Sequence, residues 1–377
     1  MSQVKVMSIF GTRPEAIKMA PLVNALEKEK GFKSSVVVTA QHREMLDQVL
    51  SLFNIEPQYD LNIMQSGQSL YDITCRALKG LEEILEQEKP QMVLVHGDTT
   101  TTLAASLAAY YKKIPVGHVE AGLRSGDIYS PFPEEMNRKL TGGLAALHFA
   151  PTQTAKNNLL REGVSENRIY VTGNTVIDAL LATVKSDFEF TDPQLKAIDF
   201  NQKRVLLVTT HRRENLGQPM ENIFKALALL HEQFEDIEII FPVHKNPAVR
   251  EIAYKILTGH ERIHLIEPLD YEPFANLMAR SYLILTDSGG LQEEAPALGK
   301  PVLVLRENTE RPEAVVAGTV AIVGTKFESI FETSKGLLVK KELYDKMAQA
   351  VNPYGDGKAC LRIIDSLKGY SPCHPER

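Results

Sequence analysis

The 377-residue chain is predicted to be an α/β protein made of two Rossmann-like parallel-sheet domains facing an interdomain cleft. Three observations carry that expectation. Short β-rich runs alternate with helical patterns from end to end, the appearance of a parallel sheet wrapped by helices. The runs divide six and six about a polar, strand-poor stretch at 186–203. The length is more than a single core of ordinary size takes up.

The first run, VKVMSIF at 4–10, could pass for a short signal core, but Arg13 and Glu15 interrupt it before any small-residue cleavage site. It is read as the first strand. The runs at 35–39, 92–96, 116–119, 147–150 and 169–172 complete the first half. They are short, nearly continuous apolar runs, as strands covered on both faces require. The second half repeats the pattern at 205–209, 237–242, 263–266, 282–286, 302–305 and 320–323. The helical stretch at 178–185, with the polar segment after it, is where the chain is expected to cross. The domains are therefore placed at 1–172 and 173–356, with a last helix at about 357–370 packing back on the first. Residues 369–377 read as a frayed tail.

Composition narrows the function. Charged residues at 24% and hydrophobic ones at 44% describe a soluble globular protein, and no apolar run approaches the roughly 18 residues of a membrane span. Cys75, Cys360 and Cys373 share no metal-like or redox-like spacing, which fits a reducing cytoplasm. A net charge of -6 argues against nucleic acid or an anionic membrane as the main partner, while an anionic small molecule stays open. No GxGxxG follows a strand, and Gly299-Lys300-Pro301 lacks the glycine spacing and hydroxyl of a P-loop. Dinucleotide enzymes and P-loop kinases are disfavoured.

Ligands of open α/β sheets bind beyond the carboxyl ends of strands, so the residues after each run matter most. At 283–311 an apolar run stops at Asp287-Ser288-Gly289-Gly290, a helical pattern follows and ends at Gly299, and Pro301 leads into the next strand. Glycines admit close backbone approach, and a helix start offers free N–H groups to an anion. After the first strand, Pro14 suits the first helical position, leaving Arg13 at the helix mouth and Lys18 a turn along. Both could meet a diphosphate, although solvated surface cations are the ordinary alternative. His211, Arg212 and Arg213 follow the strand at 205–209, and His244 and Lys245 follow the next, extending a basic lining. A surface salt-bridge patch is the plain alternative there.

Three carboxylates follow strands of the first half: Asp98, Glu120 and Glu134. Asp98 could be a helix cap and Glu134 a first-turn acid. Glu120, between an apolar strand and Ala121-Gly122, is harder to explain structurally, and burial would raise its pKa unless a cation such as Arg124 lies close. The pairs His96/Asp98 and His118/Glu120 permit a metal reading, but a dense triad such as HExxH is missing, and no metal is assigned.

Taken in order, GTRPEAIK, HGDTTTT, GHVEAGLRS, SPFPEEMNR, THRREN, TDSGGLQEEAP and RPEA give a specific resemblance over nearly the whole chain. The chain resembles the bacterial non-hydrolysing UDP-N-acetylglucosamine 2-epimerases, two-domain proteins of the GT-B type. The resemblance implies catalytic positions at Asp98, Glu120, Glu134 and His211. It implies substrate contacts from Arg13, Lys18, Asp98, Glu120, His211, Phe274, Ser288, Gly289, Gly290, Glu294 and Arg311. Glu294, too acidic to sit beside a phosphate, is placed on ribose hydroxyls. One departure is visible: Leu269 stands where the family often has glutamine, which removes a side-chain contact to uracil. Some members also use substrate as an allosteric activator. Gln41 and Arg212 fit that role, but Gly67-Gln68 stands where an arginine is expected, and regulation stays open.

The reaction so implied converts UDP-N-acetylglucosamine to UDP-N-acetylmannosamine reversibly. The carbon 2 proton leaves as UDP leaves carbon 1, giving 2-acetamidoglucal, and UDP adds back with protonation from the other face. Carboxylates serve as base, acid and stabiliser of positive charge, and spacing leaves open which does which. His211, with Arg13 and Arg311, would stabilise the departing diphosphate. No cofactor is implied. A homodimer, a cytoplasmic location and a role in cell-surface polysaccharide synthesis come with the resemblance. A hydrolysing epimerase, a GT-B glycosyltransferase and a sugar-nucleotide sensor are the alternatives.

Overall fold

A computed structural model of the chain describes residues 3–41 and 43–370. It divides into two compact units, one running as far as Ala182 and resuming at Tyr354, the other spanning Thr183–Pro353.

The first unit holds strands β1 (Val4–Phe10), β2 (Phe32–Val38), β3 (Tyr59–Asp60), β4 (Met92–His96), β5 (Val116–Val119), β6 (Leu147–Ala150) and β7 (Ile169–Val171). They form one parallel sheet in the order β3-β2-β1-β4-β5-β6-β7. Met7 and Ile9 on β1 and Val93 and Val95 on β4 alternate onto one face, where Leu81 and Leu85 of helix Leu70–Glu88 and Ala105 and Ala109 of helix Thr100–Tyr111 cover them. The second unit holds β8 (Arg204–Thr209), β9 (Ile237–Pro242), β10 (Ile263–Ile266), β11 (Leu283–Thr286), β12 (Val302–Val304) and β13 (Val320–Ile322). Their order is β10-β9-β8-β11-β12-β13, again parallel. Leu206, Val208, Ile239, Phe241, Leu283 and Leu285 supply its core, packed by Phe224 and Leu227 of helix Gln218–Gln233.

Two departures from expectation concern strands. β3 was not anticipated, because two residues, Tyr59 and Asp60, are too short for any alternation to show. β2 begins at Phe32 rather than 35, since Val4 supplies a pairing partner for Phe32 across the sheet and Lys33 and Ser34 follow it into the ladder.

The division between units falls after Ala182 rather than after 172. Helix Thr175–Thr183 stays with the first unit because its Asp178 carboxylate accepts the N–H groups of Ala359 (3.2 Å) and Cys360 (2.9 Å), at the start of helix Ala359–Gly369. The Asn174 N–H donates to the Tyr354 carbonyl at 2.7 Å, and Arg362 reaches the Thr172 carbonyl at 3.0 Å. That C-terminal helix also packs on helix Arg13–Lys28, where Lys368 pairs with Glu29 at 2.8 Å. Gly369 ends it; the rest of the expected tail beyond Tyr370, with Cys373, lies outside the described residues. Cys75 is exposed and Cys360 buried, both as free thiols. Among the described residues no helix is long and apolar enough to cross a membrane.

Both sheets reverse their winding direction once, between β1 and β4 and between β8 and β11. At such a switch point the loops after the two central strands diverge, leaving a crevice at the carboxyl end. The candidate residues gather at these two places.

Candidate active site

In the first unit, the loop after β1 is built around Glu15. This carboxylate is buried, and its Oε2 accepts the N–H groups of Gly11 (3.0 Å) and Thr12 (2.8 Å) and the Thr12 hydroxyl (2.8 Å). Its Oε1 accepts hydroxyls from Thr99 (2.7 Å) and Thr102 (3.0 Å) in the loop and helix after β4. Burial pushes the Glu15 pKa up against all of these donors. One carboxylate thus ties together both loops of the switch point. Gly11 fits because there is no space for a side chain: a Cβ would lie 1.9 Å from Thr39 Oγ1. Thr12 is the N-cap, so the helix begins at Arg13 with Pro14 second, one residue earlier than the sequence pattern places it. Arg13 is half-buried in that first turn.

Lys18 lies on the same helix and forms an ion pair with Glu120, directly after β5. Asn174 Nδ2 donates to the same Glu120 oxygen at 2.8 Å. The cation expected beside Glu120 was Arg124. Arg124 instead makes a two-pronged pair with Glu162 (2.7 and 2.6 Å), because Glu162, at the end of helix Gln153–Arg161, offers it both carboxylate oxygens. Glu120 has a φ of 62°, in the left-handed region that non-glycine residues seldom adopt. Gly97 is left-handed as well (φ 69°), and a Cβ there would lie 3.6 Å from Glu120 Oε1, so the β4 loop runs beside this carboxylate.

Asp98 is not the helix cap. Thr99 is, accepting the Thr102 N–H at 3.1 Å, which leaves the Asp98 side chain for Arg138 at 2.5 Å. Helix Glu134–Leu144 supplies Arg138, and its Asn137 Nδ2 donates to the Asp98 carbonyl at 2.8 Å. Glu134 opens this helix, and its Oε2 is buried with no hydrogen-bond partner among the described residues. Partial burial raises the Asp98 pKa; Arg138 opposes that rise, Glu120 and Glu134 add to it, and Lys18 lowers it. Asp98 therefore lies within electrostatic reach of both Glu120 and Glu134.

His96 and His118 belong to this neighbourhood but are neutral. Burial takes His96 down to about 3 and His118 to about 4. His96 Nε2 lies 3.7 Å from Glu120 Oε2, and the His118 ring meets the Gly97 carbonyl at 2.7 Å. Among the described residues no group of three His, Cys, Asp or Glu side chains is arranged to hold a metal ion.

In the second unit the organising residue is Asp287, directly after β11 and fully buried. Its Oδ2 accepts the Thr210 hydroxyl (2.9 Å), the N–H groups of His211 (2.8 Å) and Arg212 (2.9 Å), and Asn215 Nδ2 (3.0 Å). Oδ1 lies 3.2 Å from His211 Nδ1. Burial pushes the Asp287 pKa up, but the His211 ring and these N–H groups outweigh it and leave the carboxyl below its ordinary value. The Asp287 contact engages the Nδ1 side of the His211 ring. The His244 ring stacks on it at 5.5 Å.

Ser288 caps the helix that follows, and its N–H donates to Thr286 Oγ1 at 2.9 Å. The expected helix to Gly299 is broken. It runs Gly289–Glu294 and continues as a 3-10 turn, Ala295–Leu298, because Pro296 cannot continue an α ladder, and Gly299 closes it in a left-handed conformation. Arg311 comes alongside the helix start, its guanidinium carbon 3.9 Å from where a Cβ of Gly289 would be, and it is paired with buried Glu293. Glu294 folds toward the same start, 3.5 Å from a Cβ built on Gly290. Phe274 is half-buried on the neighbouring helix Tyr271–Arg280, where the buried Tyr271 hydroxyl has no hydrogen-bond partner among the described residues. Burial, with Glu294 nearby, raises the Tyr271 pKa well above normal. Gln41 receives a 3.3 Å hydrogen bond from Thr101, and the Arg212 backbone is engaged by Asp287.

Residues that strand-end reasoning missed are Glu15, Arg138, Asn174 and Asp287 as a ligand of His211. Their types carried a signal: carboxylates and amides beside glycine-rich strand ends. Their partners did not, being far away in sequence.

Two units of parallel Rossmann-like sheet, with candidate side chains at each switch point, define an α/β protein of the GT-B type. The model of the UDP-N-acetylglucosamine 2-epimerase family matches residues 24–368. The UDP-N-acetylglucosamine 2-epimerase of Escherichia coli K12 is 57% identical, covering 97% of this chain and 98% of its own. A crystal structure of the Neisseria meningitidis UDP-GlcNAc 2-epimerase bound to UDP-GlcNAc superposes with a TM-score of 0.85 at 51% identity, covering 97% of this chain and all of that one. An S. aureus MnaA–UDP co-structure gives a TM-score of 0.86 at 53% identity, over 100% and 99% of the two chains. The chain belongs to the UDP-N-acetylglucosamine 2-epimerase family, and its activity is that of this isomerase.

Proposed function

We propose that the protein inverts carbon 2 of UDP-N-acetylglucosamine reversibly, without hydrolysis, by eliminating UDP to 2-acetamidoglucal and adding it back. The observation that carries this reading is the group of three carboxylates at the first switch point, two of them paired with a cation: Glu120 with Lys18 and Asp98 with Arg138. The carbon 2 proton has no adjacent carbonyl to acidify it, so its removal needs a positioned base, and its return on the other face needs a positioned acid. A protein that only bound an anion would gain nothing from three carboxylates.

Asp98, Glu120 and Glu134 handle the sugar. Arg13, Lys18, His211, Ser288, Gly289, Gly290 and Arg311 hold the diphosphate, with His211 stabilising the charge that develops on leaving UDP. Glu294 takes the ribose hydroxyls and Phe274 the base. The nucleotides named in the Neisseria meningitidis and S. aureus structures support this choice of ligand. The product serves as an activated N-acetylmannosamine unit for cell-surface polysaccharide in the cytoplasm, from a homodimer.

Turnover in heavy water tests the reading: deuterium is expected at carbon 2 of both sugar nucleotides. Turnover with carbon 2 left fully protonated would overturn it, and release of free N-acetylmannosamine would replace it with a hydrolysing epimerase.

A further inference from the structure

We propose that Arg138 is a positioning residue for this reaction: clamped from behind by buried Glu135, it holds Asp98 ionised, so that Asp98 is the carboxylate ready to take a proton. The proposal rests on the reading of Asp98 as a catalytic residue.

The geometry is a relay of fixed contacts. Glu135 is fully buried. Its Oε2 accepts the Ser125 N–H at 3.0 Å and its Oε1 the Gly126 N–H at 3.3 Å, so the carboxylate is anchored to backbone. Burial pushes its pKa up, but these N–H groups and Arg138 outweigh that and leave it below normal. Arg138, one helical turn on, places Nη1 3.2 Å from Glu135 Oε2 and Nη2 2.5 Å from Asp98 Oδ2. The planar fork of the guanidinium suits it to two carboxylates at once, and its charge is permanent. The neighbouring Asn137 holds the Asp98 carbonyl, so the same helix fixes both the backbone and the side chain of Asp98.

The need for such a cation follows from what faces Asp98. Glu134 comes from the same helix as Arg138, Glu120 from the end of β5, and Lys18 from helix Arg13–Lys28. Lys18 is ion-paired with Glu120 and adds a smaller lowering effect on Asp98 than Arg138 does. Two carboxylates and partial burial all favour a protonated Asp98, and Arg138, in direct contact, is the larger of the two cationic influences that oppose them. Deprotonated Asp98 can accept the carbon 2 proton; protonated Asp98 cannot.

The test uses the full-length enzyme as wild type, R138M, R138K and D98N. It follows kcat/KM against pH, and the titration of the Asp98 carboxyl carbon by 13C NMR with D98N for assignment. In R138M the acidic limb and the Asp98 titration should both move up by about one to three pH units, with kcat largely regained at alkaline pH. R138K should restore most of the wild-type profile. A uniformly lower rate with both titrations unmoved would overturn the proposal, because a merely structural arginine loses activity at every pH. Wild-type turnover in D98N would overturn the catalytic reading itself, whatever R138M does. Should R138M fail to fold, E135Q carries the test: a smaller upward movement supports the proposal and an unmoved limb overturns it.

Discussion

Asp98 and Asp287 occupy corresponding places in the two units, each just beyond the strand that lies next to the central one across the switch point, β4 and β11. Their side chains are used in opposite ways. Asp98 stands off from its strand by Gly97, is 23% exposed, and has a cation for its partner. Asp287 follows its strand directly, is 0% exposed, and spends one oxygen on four donors of the loop after β8. Asp98 is shifted upward, since burial and neighbouring carboxylates win over Arg138 and Lys18. Asp287 is shifted downward, since its donors outweigh burial. A buried carboxylate that spends an oxygen on four donors of the fold builds a site; one left partly open with a charge opposite can do chemistry in it.

That distinction predicts which function each substitution destroys. Asp98→Asn should lower turnover by about 10²- to 10⁴-fold with UDP affinity retained, and Glu120→Gln should do the same; steady-state rates with product identified by NMR check this, and a wild-type rate would end the assignment. Asp287→Ala should act first on stability, costing about 3 to 5 kcal/mol because four donors and the His211 ring lose a buried partner. Urea unfolding measures it, and an unchanged midpoint would make the two aspartates alike after all.

Glu15→Gln should fall between these, at about 1 to 3 kcal/mol, because an amide cannot accept all five donors that the carboxylate satisfies. Turnover should drop with it, since both loops of the first switch point hang on that side chain. A variant with full activity and reduced stability would separate the loop scaffold from the chemistry.

The smallest effect is expected from a third aspartate, Asp356, on the surface. It makes a two-pronged pair with Arg362 at 2.7 and 2.8 Å, which lowers its pKa from 3.8 to about 2. Because the folded value is depressed, the pair stabilises the protein above about pH 4, and that contribution is lost as pH falls toward 2. Solvent screening at this half-exposed site limits it to about 0.2 to 1 kcal/mol. Asp356→Asn should cost that much at neutral pH and nothing near pH 2, as thermal melts at both values would record.

Much of this was legible beforehand. The strands at 92–96, 116–119 and 147–150 have the bounds the sequence predicts, because apolar runs closed by glycine, a charge or proline leave little latitude. β3 was not, being too short to show a pattern. The helix after Ser288 was read as continuous, and Pro296 cut it short. Glu120 stood out by residue type, yet its cation was misassigned: Arg124 is four positions away in sequence, whereas Lys18 is 102 residues away and adjacent in space.

Residue order alone determined the alternation of strand and helix, the parallel sheets that it requires, and which polar residues follow each strand. These depend on hydrophobic period and turn chemistry, which act over a few neighbouring residues. Only the tertiary structure decided the partners: Lys18 for Glu120, Arg138 for Asp98, Asp287 for His211, and Glu15 for Thr99 and Thr102. Those pairings depend on β4 lying between β1 and β5 and on β8 lying beside β11. Strand order arises from long-range packing of covered sheet faces, and it fixes which loops meet at the carboxyl edge, where a charge takes its protonation state from whatever is brought against it.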